Sequence, residues 1–308
     1  MKKDYGIFVE KLRQSLLDTL DMEAEKIFFN EGGTGLAGTG DRLFIECDVH
    51  EGTREVCGIY TEELYERYQS GTALKKITED VIGELDKAKR GNFFEKTRNL
   101  IHYEKIKGDL FIRLVNRDKH RKELKKAVYR TLGDIAMVLY LKIGEVDNCI
   151  TSMKIRQEYV EMWGLDKDKV FEEALENTLR ISPPRIYYWE KLIYDSDYQG
   201  EDFMEEDSEF KMRRDAVGNC LSTTRRTNGA VAVFLPGVAE KLARLIGRDF
   251  YLVFTSIHEV MIHNVDFAEP ERLEDILQET IEEATPEEDY LTSSIYRYNK
   301  ETGRFICV

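Results

Sequence analysis

Proline, cysteine, histidine and tryptophan are all scarce in this chain of 308 residues, at five, five, five and two copies. The cysteines (Cys47, Cys57, Cys149, Cys220 and Cys307) are scattered, odd in number and never spaced CxxC. That argues against a zinc knuckle or a dithiol redox motif, and no metal or cofactor is expected. Each cysteine reads as a small buried apolar residue in a reducing cytoplasm. No apolar run approaches the ~20 residues that a membrane helix requires, so no membrane partner is expected. The first twenty residues form an amphipathic helix, with Tyr5, Phe8, Val9, Leu12, Leu16 and Leu20 on one face, rather than the apolar segment of a secretion signal.

Basic charge is also short. The net charge is −14, and it is unevenly spread. Segment 195–210 holds Asp195, Asp197, Glu201, Asp202, Glu205, Glu206, Asp207 and Glu209 with no base, and carries −8. Segment 266–289 holds eleven acids against Arg272 and carries −10, which leaves +4 for the rest of the chain. By contrast, segment 113–130 holds eight Lys and Arg against Asp118 and Glu123. A charge run is ordinarily a solvated face. The acids of 195–210 are also the candidate contact surface for a protein partner with basic groups. The basic stretch lacks interleaved aromatics apart from Tyr129, which argues against nucleic acid as a partner.

The 42% of hydrophobic residues is arranged in both periods. Strands are expected at 26–29, 42–49, 55–60, 109–116, 135–143 and 149–155, where β-branched and aromatic residues alternate or run together. Helices are expected at 61–69, from Thr72 with Leu74, Ile77, Val81 and Leu85 on one face before a loop at KAKRG, at 157–163, and from an Asp166 cap to a stop at Pro183-Pro184. Beyond the acidic segment, strands at 217–224 and 230–235 flank Asn228-Gly229, a strong hairpin signal. Pro236 then opens a helix that Gly247 ends. Strands at 250–255 and 260–263, an acidic helix at 273–284 and a strand at 293–298 complete the chain. This mixed order predicts an α+β fold with mainly antiparallel sheets and packed helices. The regions are 1–108, 109–194, the acidic loop 195–210, and 211–308, and one continuous domain is compatible with them.

Three motifs suggest chemistry. Gly33-Thr34-Gly35-Leu36-Ala37-Gly38 matches GxGxxG, but the segment that follows reads as a strand, whereas a phosphate cradle must open a helix. His258 and His263 are five apart, where a zinc-binding HExxH needs four on one helical face. On a strand that spacing puts them on opposite faces. Ser256, His258 and Glu259 lie in a polar step, with Asn228 nearby in the expected hairpin. They form a candidate polar site, although residues two apart on a strand do not make the contact a Ser–His pair needs. The bland reading is a turn whose side chains satisfy backbone groups.

Several short pieces, in order, carry a resemblance. They are Ile59-Tyr60 with Leu64-Tyr65, Tyr68 and Gly71; Arg113-Leu114-Val115-Asn116; Met162-Trp163-Gly164 followed by 174–178; Gly229-Ala230 with Pro236-Gly237; and 256–260. Together they resemble a family of unknown function, numbered 5688, from anaerobic Gram-positive bacteria. Leu221-Ser222-Thr223 and Gln157 depart from its pattern. The resemblance implies no activity. The functional expectation is therefore a cytoplasmic, non-enzymatic binding or regulatory protein that acts through protein contacts. The alternatives are a small-ligand binder or enzyme at Ser256, His258 and Glu259, and an acidic nucleic-acid mimic.

Overall fold

The structure is a computed structural model that describes residues 2–32, 40–50, 53–90, 93–146, 149–195, 197–205, 210–213 and 218–308. The GxGxxG segment lies outside the described residues. So do Glu206, Asp207 and Glu209 of the acidic segment. The chain forms two compact units, Met1–Thr97 and Arg98–Val308.

In the first unit, α1 (Lys2–Leu20) is followed by β1 (Ile27–Asn30), β2 (Arg42–His50) and β3 (Thr53–Tyr60), which form an antiparallel sheet in that order. Helices α2 (Thr61–Gln69) and α3 (Leu74–Arg90) follow, with α4 (Phe93–Arg98) next in the chain. Phe8, Leu12 and Leu16 of α1 are buried against Leu43 and Ile45 of β2 and against Ile77, Val81 and Leu85 of α3. These are the residues that helical spacing put on one face. Helix α3 runs on through Arg90 rather than ending in a loop at KAKRG. Lys, Ala and Arg are good helix formers, so a loss of apolar spacing there does not end the helix.

The second unit starts with α5 (Tyr103–Ile106), β4 (Leu110–Asn116) and α6 (Arg121–Leu124). Next come β5 (Tyr129–Leu132), β6 (Ile135–Val146) and β7 (Cys149–Lys154). Strand β6 pairs with β4 along one edge, and with β5 and then β7 along the other, all antiparallel. Strand β5 begins at the end of the basic stretch, whose charged residues hide it from pattern reading. Helix α7 (Gln157–Trp163) ends at Gly164, and α8 (Lys167–Ile181) is capped by Asp166, whose carboxylate accepts the backbone N–H groups of Asp168 and Lys169. On the α8 side of β4, the Ile112 N–H donates to Thr178 Oγ1 at 2.9 Å.

A six-stranded antiparallel sheet takes in β8 (Pro184–Tyr187), β9 (Asn219–Thr223), β10 (Phe250–Val253), β11 (Val260–Asn264), β12 (Tyr296–Asn299) and β13 (Arg304–Cys307), in the order β13-β12-β10-β11-β9-β8. Pro184 can start β8 because that strand is an edge. Helices α9 (Trp189–Tyr194), α10 (Val238–Ile246) and α11 (Pro270–Ala284) complete the unit. The expected α+β class with mainly antiparallel pairing is the class observed. A polar tie links the two sheets of this unit. Thr292 Oγ1 and the Tyr296 hydroxyl both donate to Asp134 Oδ1, at 2.8 and 2.7 Å, and Asn116 Nδ2 donates to the Leu291 carbonyl at 2.8 Å. Burial, and then Asp134, push the Tyr296 hydroxyl well above the ordinary tyrosine range.

One expected element is of a different kind. Residues Gly229–Phe234 form a 3-10 helix, not the second strand of a hairpin. Asn228 has φ 53° but Gly229 does not have positive φ, whereas the tight Asn-Gly hairpin turn needs it at both. Gly229 to Val233 are all buried, so their apolar run carries no period that separates strand from helix. Space, rather than conformation, demands glycine at 229. A Cβ there would stand 2.1 Å from Ser222 Oγ and 2.6 Å from the His258 carbonyl oxygen.

This gives a paired prediction. Gly229→Ala is expected to destabilise by about 1–3 kcal/mol or more, as overpacking does. Gly83→Ala, in α3 with nothing within 4 Å of the added carbon, is expected to stabilise by about 0.5–1 kcal/mol. Thermal midpoints of the two variants measure both signs, and a Gly229→Ala midpoint equal to that of the unaltered protein would refute the steric account.

Candidate functional site

Between β10 and β11 the chain turns a corner that the sequence marks as polar. Ser256 Oγ accepts the His258 backbone N–H at 3.0 Å, which closes the turn locally. Its main chain is held from outside. The Ile257 N–H donates to the Asp289 carbonyl at 2.8 Å, and the Ile257 carbonyl accepts from the Ala230 N–H at 3.2 Å. The His258 carbonyl accepts from Ser222 Oγ at 2.7 Å. The step between the strands is therefore a packed corner rather than part of either strand.

His258 is fixed through both ring nitrogens. Nδ1 accepts the Asn228 backbone N–H at 3.0 Å, and Nε2 lies 3.1 Å from Asp289 Oδ1. Because Nδ1 must accept, the ring proton sits on Nε2 and is donated to Asp289. Glu259 is held on both oxygens as well. Oε1 accepts from Thr255 Oγ1 at 3.1 Å and Oε2 from the Cys220 thiol at 3.4 Å. Burial, and then Glu259, raise the Cys220 thiol well above its ordinary value, so this cysteine is a protonated donor and not a nucleophile.

These groups wall a cleft of about 280 Å³. Ser256, His258 and Glu259 line it from the corner, Thr280 from α11, Asp289 from the turn that follows, and Arg226 from the loop before the 3-10 helix. The side chains of His258 and Asp289 keep 32% and 24% of their surface open to solvent, so a ligand can reach them. Asn228 reaches the site through its backbone N–H. Asp289, Cys220 and Arg226 are the site residues that sequence reasoning missed. Asp289 was visible only as one acid in a run of eleven, some thirty positions from His258.

His263 belongs to different surroundings. It lies on β11, buried, and its ring covers Gly218, where a Cβ would come within 2.7 Å of the ring. Among the described residues no three His, Cys, Asp or Glu side chains could together hold a metal ion. Cys47, Cys57 and Cys220 form no disulfide and sit in intermediate or buried positions, but Cys307 is exposed at the edge strand β13, against the expectation of burial. No described helix is long and apolar enough to cross a membrane.

The acidic segment is partly tied down. Glu201 pairs with Lys191 at 2.5 Å and accepts from the Tyr198 hydroxyl, Asp202 pairs with Arg185 at 2.8 Å, and Asp195 Oδ1 accepts the Asp197 N–H. Glu205 is exposed. Part of the basic stretch is likewise paired within the unit. Arg117 bonds Asp118, Arg130 bonds Asp168 and Glu172, and Lys119 reaches Glu287 of the second acidic run at 3.7 Å, while Glu123 of the same stretch bonds His120 and Lys154.

Burial lowers the His263 imidazole from its ordinary value of 6.5. A depressed folded-state value means that the unfolded chain binds the proton first. The stability contribution is present above the unfolded value and is lost as pH falls through the folded one. Between pH 7.5 and 5 the denaturation midpoint should fall, and His263→Gln should flatten that slope. An unchanged slope in the variant would refute the assignment.

No curated protein and no solved structure matches the chain. The match lies with a family of unknown function, DUF5688, over residues 40–300. That span takes in more than half of the first unit, every strand of the second except β13, and every residue of the cleft, and on it the chain belongs to the family of unknown function DUF5688.

Proposed function

We propose that this protein binds a small polar molecule in the cleft at the β10–β11 corner and serves as a binding or regulatory module. One observation carries the reading. An open cleft of about 280 Å³ is walled by a histidine whose two nitrogens are both fixed, together with two carboxylates and hydroxyl groups. Side chains held by their neighbours give a ligand a pre-formed set of partners. Glu259 and Asp289 can only accept hydrogen bonds, and each keeps lone pairs beyond those in use. A ligand that donates from ammonium or hydroxyl groups suits them.

The same geometry weighs against catalysis as the main role. A general base needs a free lone pair within reach of the proton it takes. Nδ1 of His258 is occupied by the Asn228 N–H, and Nε2 faces Asp289. Ser256 Oγ is engaged by the His258 N–H, not by the imidazole. The proposed setting is a bacterial cytoplasm, supported by the reduced state of Cys47, Cys57 and Cys220, none of which is in a disulfide.

A second reading has its own support. Ile193 and Tyr194, at the end of α9, are 77% and 89% exposed and lead directly into Asp195 and Asp197. Apolar anchors beside acids suit a protein partner with a basic rim. This version relies less on Glu201 and Asp202, which already hold Lys191 and Arg185.

The cleft is tested by thermal shift with a panel of amino alcohols, amino sugars and polyamines. A hit should lose about tenfold or more in affinity on Glu259→Gln or Asp289→Asn, the order expected for a hydrogen bond to a charged group. Ile193→Asp with Tyr194→Ser should leave that affinity unchanged. If no compound in the panel stabilises the protein, or Glu259→Gln binds as well as the unaltered chain, the small-ligand reading fails.

A further inference from the structure

We propose that the loop 225–228 borders a second site as well, an anion site for a phosphate or carboxylate group, with Arg113 and Arg225 as its cations. The site is a polar cavity of about 30 Å³, open to solvent, lined by Arg113 of β4, Ile150 of β7, Thr178 and Ser182 at the end of α8, and Arg225, Thr227 and Asn228 of the loop. Among the described residues no carboxylate lines it. The inference goes beyond the cleft at His258 and does not depend on it.

The argument starts from Arg113. In this unit Arg117, Arg130, Arg185 and Arg225 each pair with an acid. Arg113 pairs with none among the described residues. Its guanidinium donates one bond, to the Ile150 carbonyl at 3.1 Å, and lies 5.2 and 5.4 Å from the ring centres of Phe111 and Tyr140. Burial pushes its proton affinity down, yet a guanidinium stays charged in any protein. A half-buried cation with an unfilled fork is an anion receptor in want of its anion. The aromatic faces hold the group in place without neutralising it.

The rest of the lining fits the same ligand. The side chains of Ser182, Thr227 and Asn228 can all donate hydrogen bonds, and none has a protein partner among the described residues. Arg225 is anchored through Nε to the Ile181 carbonyl at 3.0 Å and through Nη1 to Glu145 at 2.6 Å. Arg225 and Lys142 together hold Glu145 down at about 2, and Glu145 is not among the residues that line the cavity. The volume suits the oxygens of one small oxyanion group, with the remainder of a larger ligand left in solvent. Asn228 borders both sites, since its backbone N–H bonds His258 and the residue also lines this cavity.

Isothermal titration of the full chain at low ionic strength, with inorganic phosphate, sulfate and acetate as probes and chloride as the matched control, decides the matter. One saturable site for an oxyanion is expected. Arg113→Gln should weaken it at least tenfold, Arg113→Lys should weaken it less, and Arg130→Gln, outside the cavity, should leave it unchanged. Preference for phosphate over acetate would assign a phosphate group, and the reverse a carboxylate. Thr227→Val and Ser182→Ala, both away from the core, should each weaken binding severalfold, and they carry the test if Arg113→Gln fails to fold. Absence of saturable binding to any of the three anions overturns the proposal, as does unaltered affinity in Arg113→Gln or in both hydroxyl variants. Glu259→Gln should leave the oxyanion affinity untouched, which separates failure here from failure of the amine-binding cleft.

Discussion

At Gly229 the backbone runs so close to Ser222 and to the His258 carbonyl that only a hydrogen fits where a side chain would begin. That approach puts the 3-10 helix directly against β9 and brings three elements into register at once. The Ala230 N–H reaches the Ile257 carbonyl, and the Asn228 N–H reaches the His258 ring. With these bonds made, the corner between β10 and β11 cannot swing, and the histidine has one tautomer and one orientation. The loop that precedes Gly229 is pinned in the same stroke. It becomes a thin wall, with the His258 cleft on one side and the Arg113 cavity on the other. Local backbone proximity, and not any catalytic motif, is what organises this part of the molecule.

Charge acts here mostly at short range. A net charge of −14 suggests a broad negative surface, yet many acids face a base of the same unit. Asp249 is a case in point, with Arg297 at 2.6 Å and the Lys300 N–H at 2.9 Å, and its carboxyl is held below the ordinary aspartate range. The solvent-exposed pairs add little stability each. Their effect is to fix loops and strand ends at particular positions. Against that background two features stand out, namely the exposed Ile193 and Tyr194 beside Asp195, and the half-buried Arg113 guanidinium, which pairs with no acid among the described residues.

How much of this was legible in the sequence depended on whether the signal was local. Strands β2, β3, β4 and β6 show in alternation or in unbroken β-branched runs, and α1 and α3 show in their apolar faces. The Asp166 cap was readable because capping involves only the next three residues. The 230–234 segment was misread because a small apolar run buried all round has no period. Strand β5 was missed because its Lys- and Arg-rich context reads as solvated. Ser256, His258 and Glu259 were visible as a polar step, but Asp289 was masked by the acids around it. The isolation of Arg113 is a statement about what does not come near it, and no local pattern encodes that. Cys307 shows the converse, since composition favours burial and an edge strand exposes it.

The tie between Asp134 and the Thr292–Tyr296 region joins positions about 160 residues apart, and Asn116 reaches Leu291 across 175. Loop closure over such spans is entropically demanding, and contacts of this range slow folding. On a ribosome strands β4 to β6 would emerge long before their polar partners exist. Until then Asn116 and Asp134 must remain hydrated, and the sheet they belong to stays open on that side. The strands made later in the chain are therefore the ones that complete the polar tie to the first sheet of the unit, and that tie is a late step of its folding.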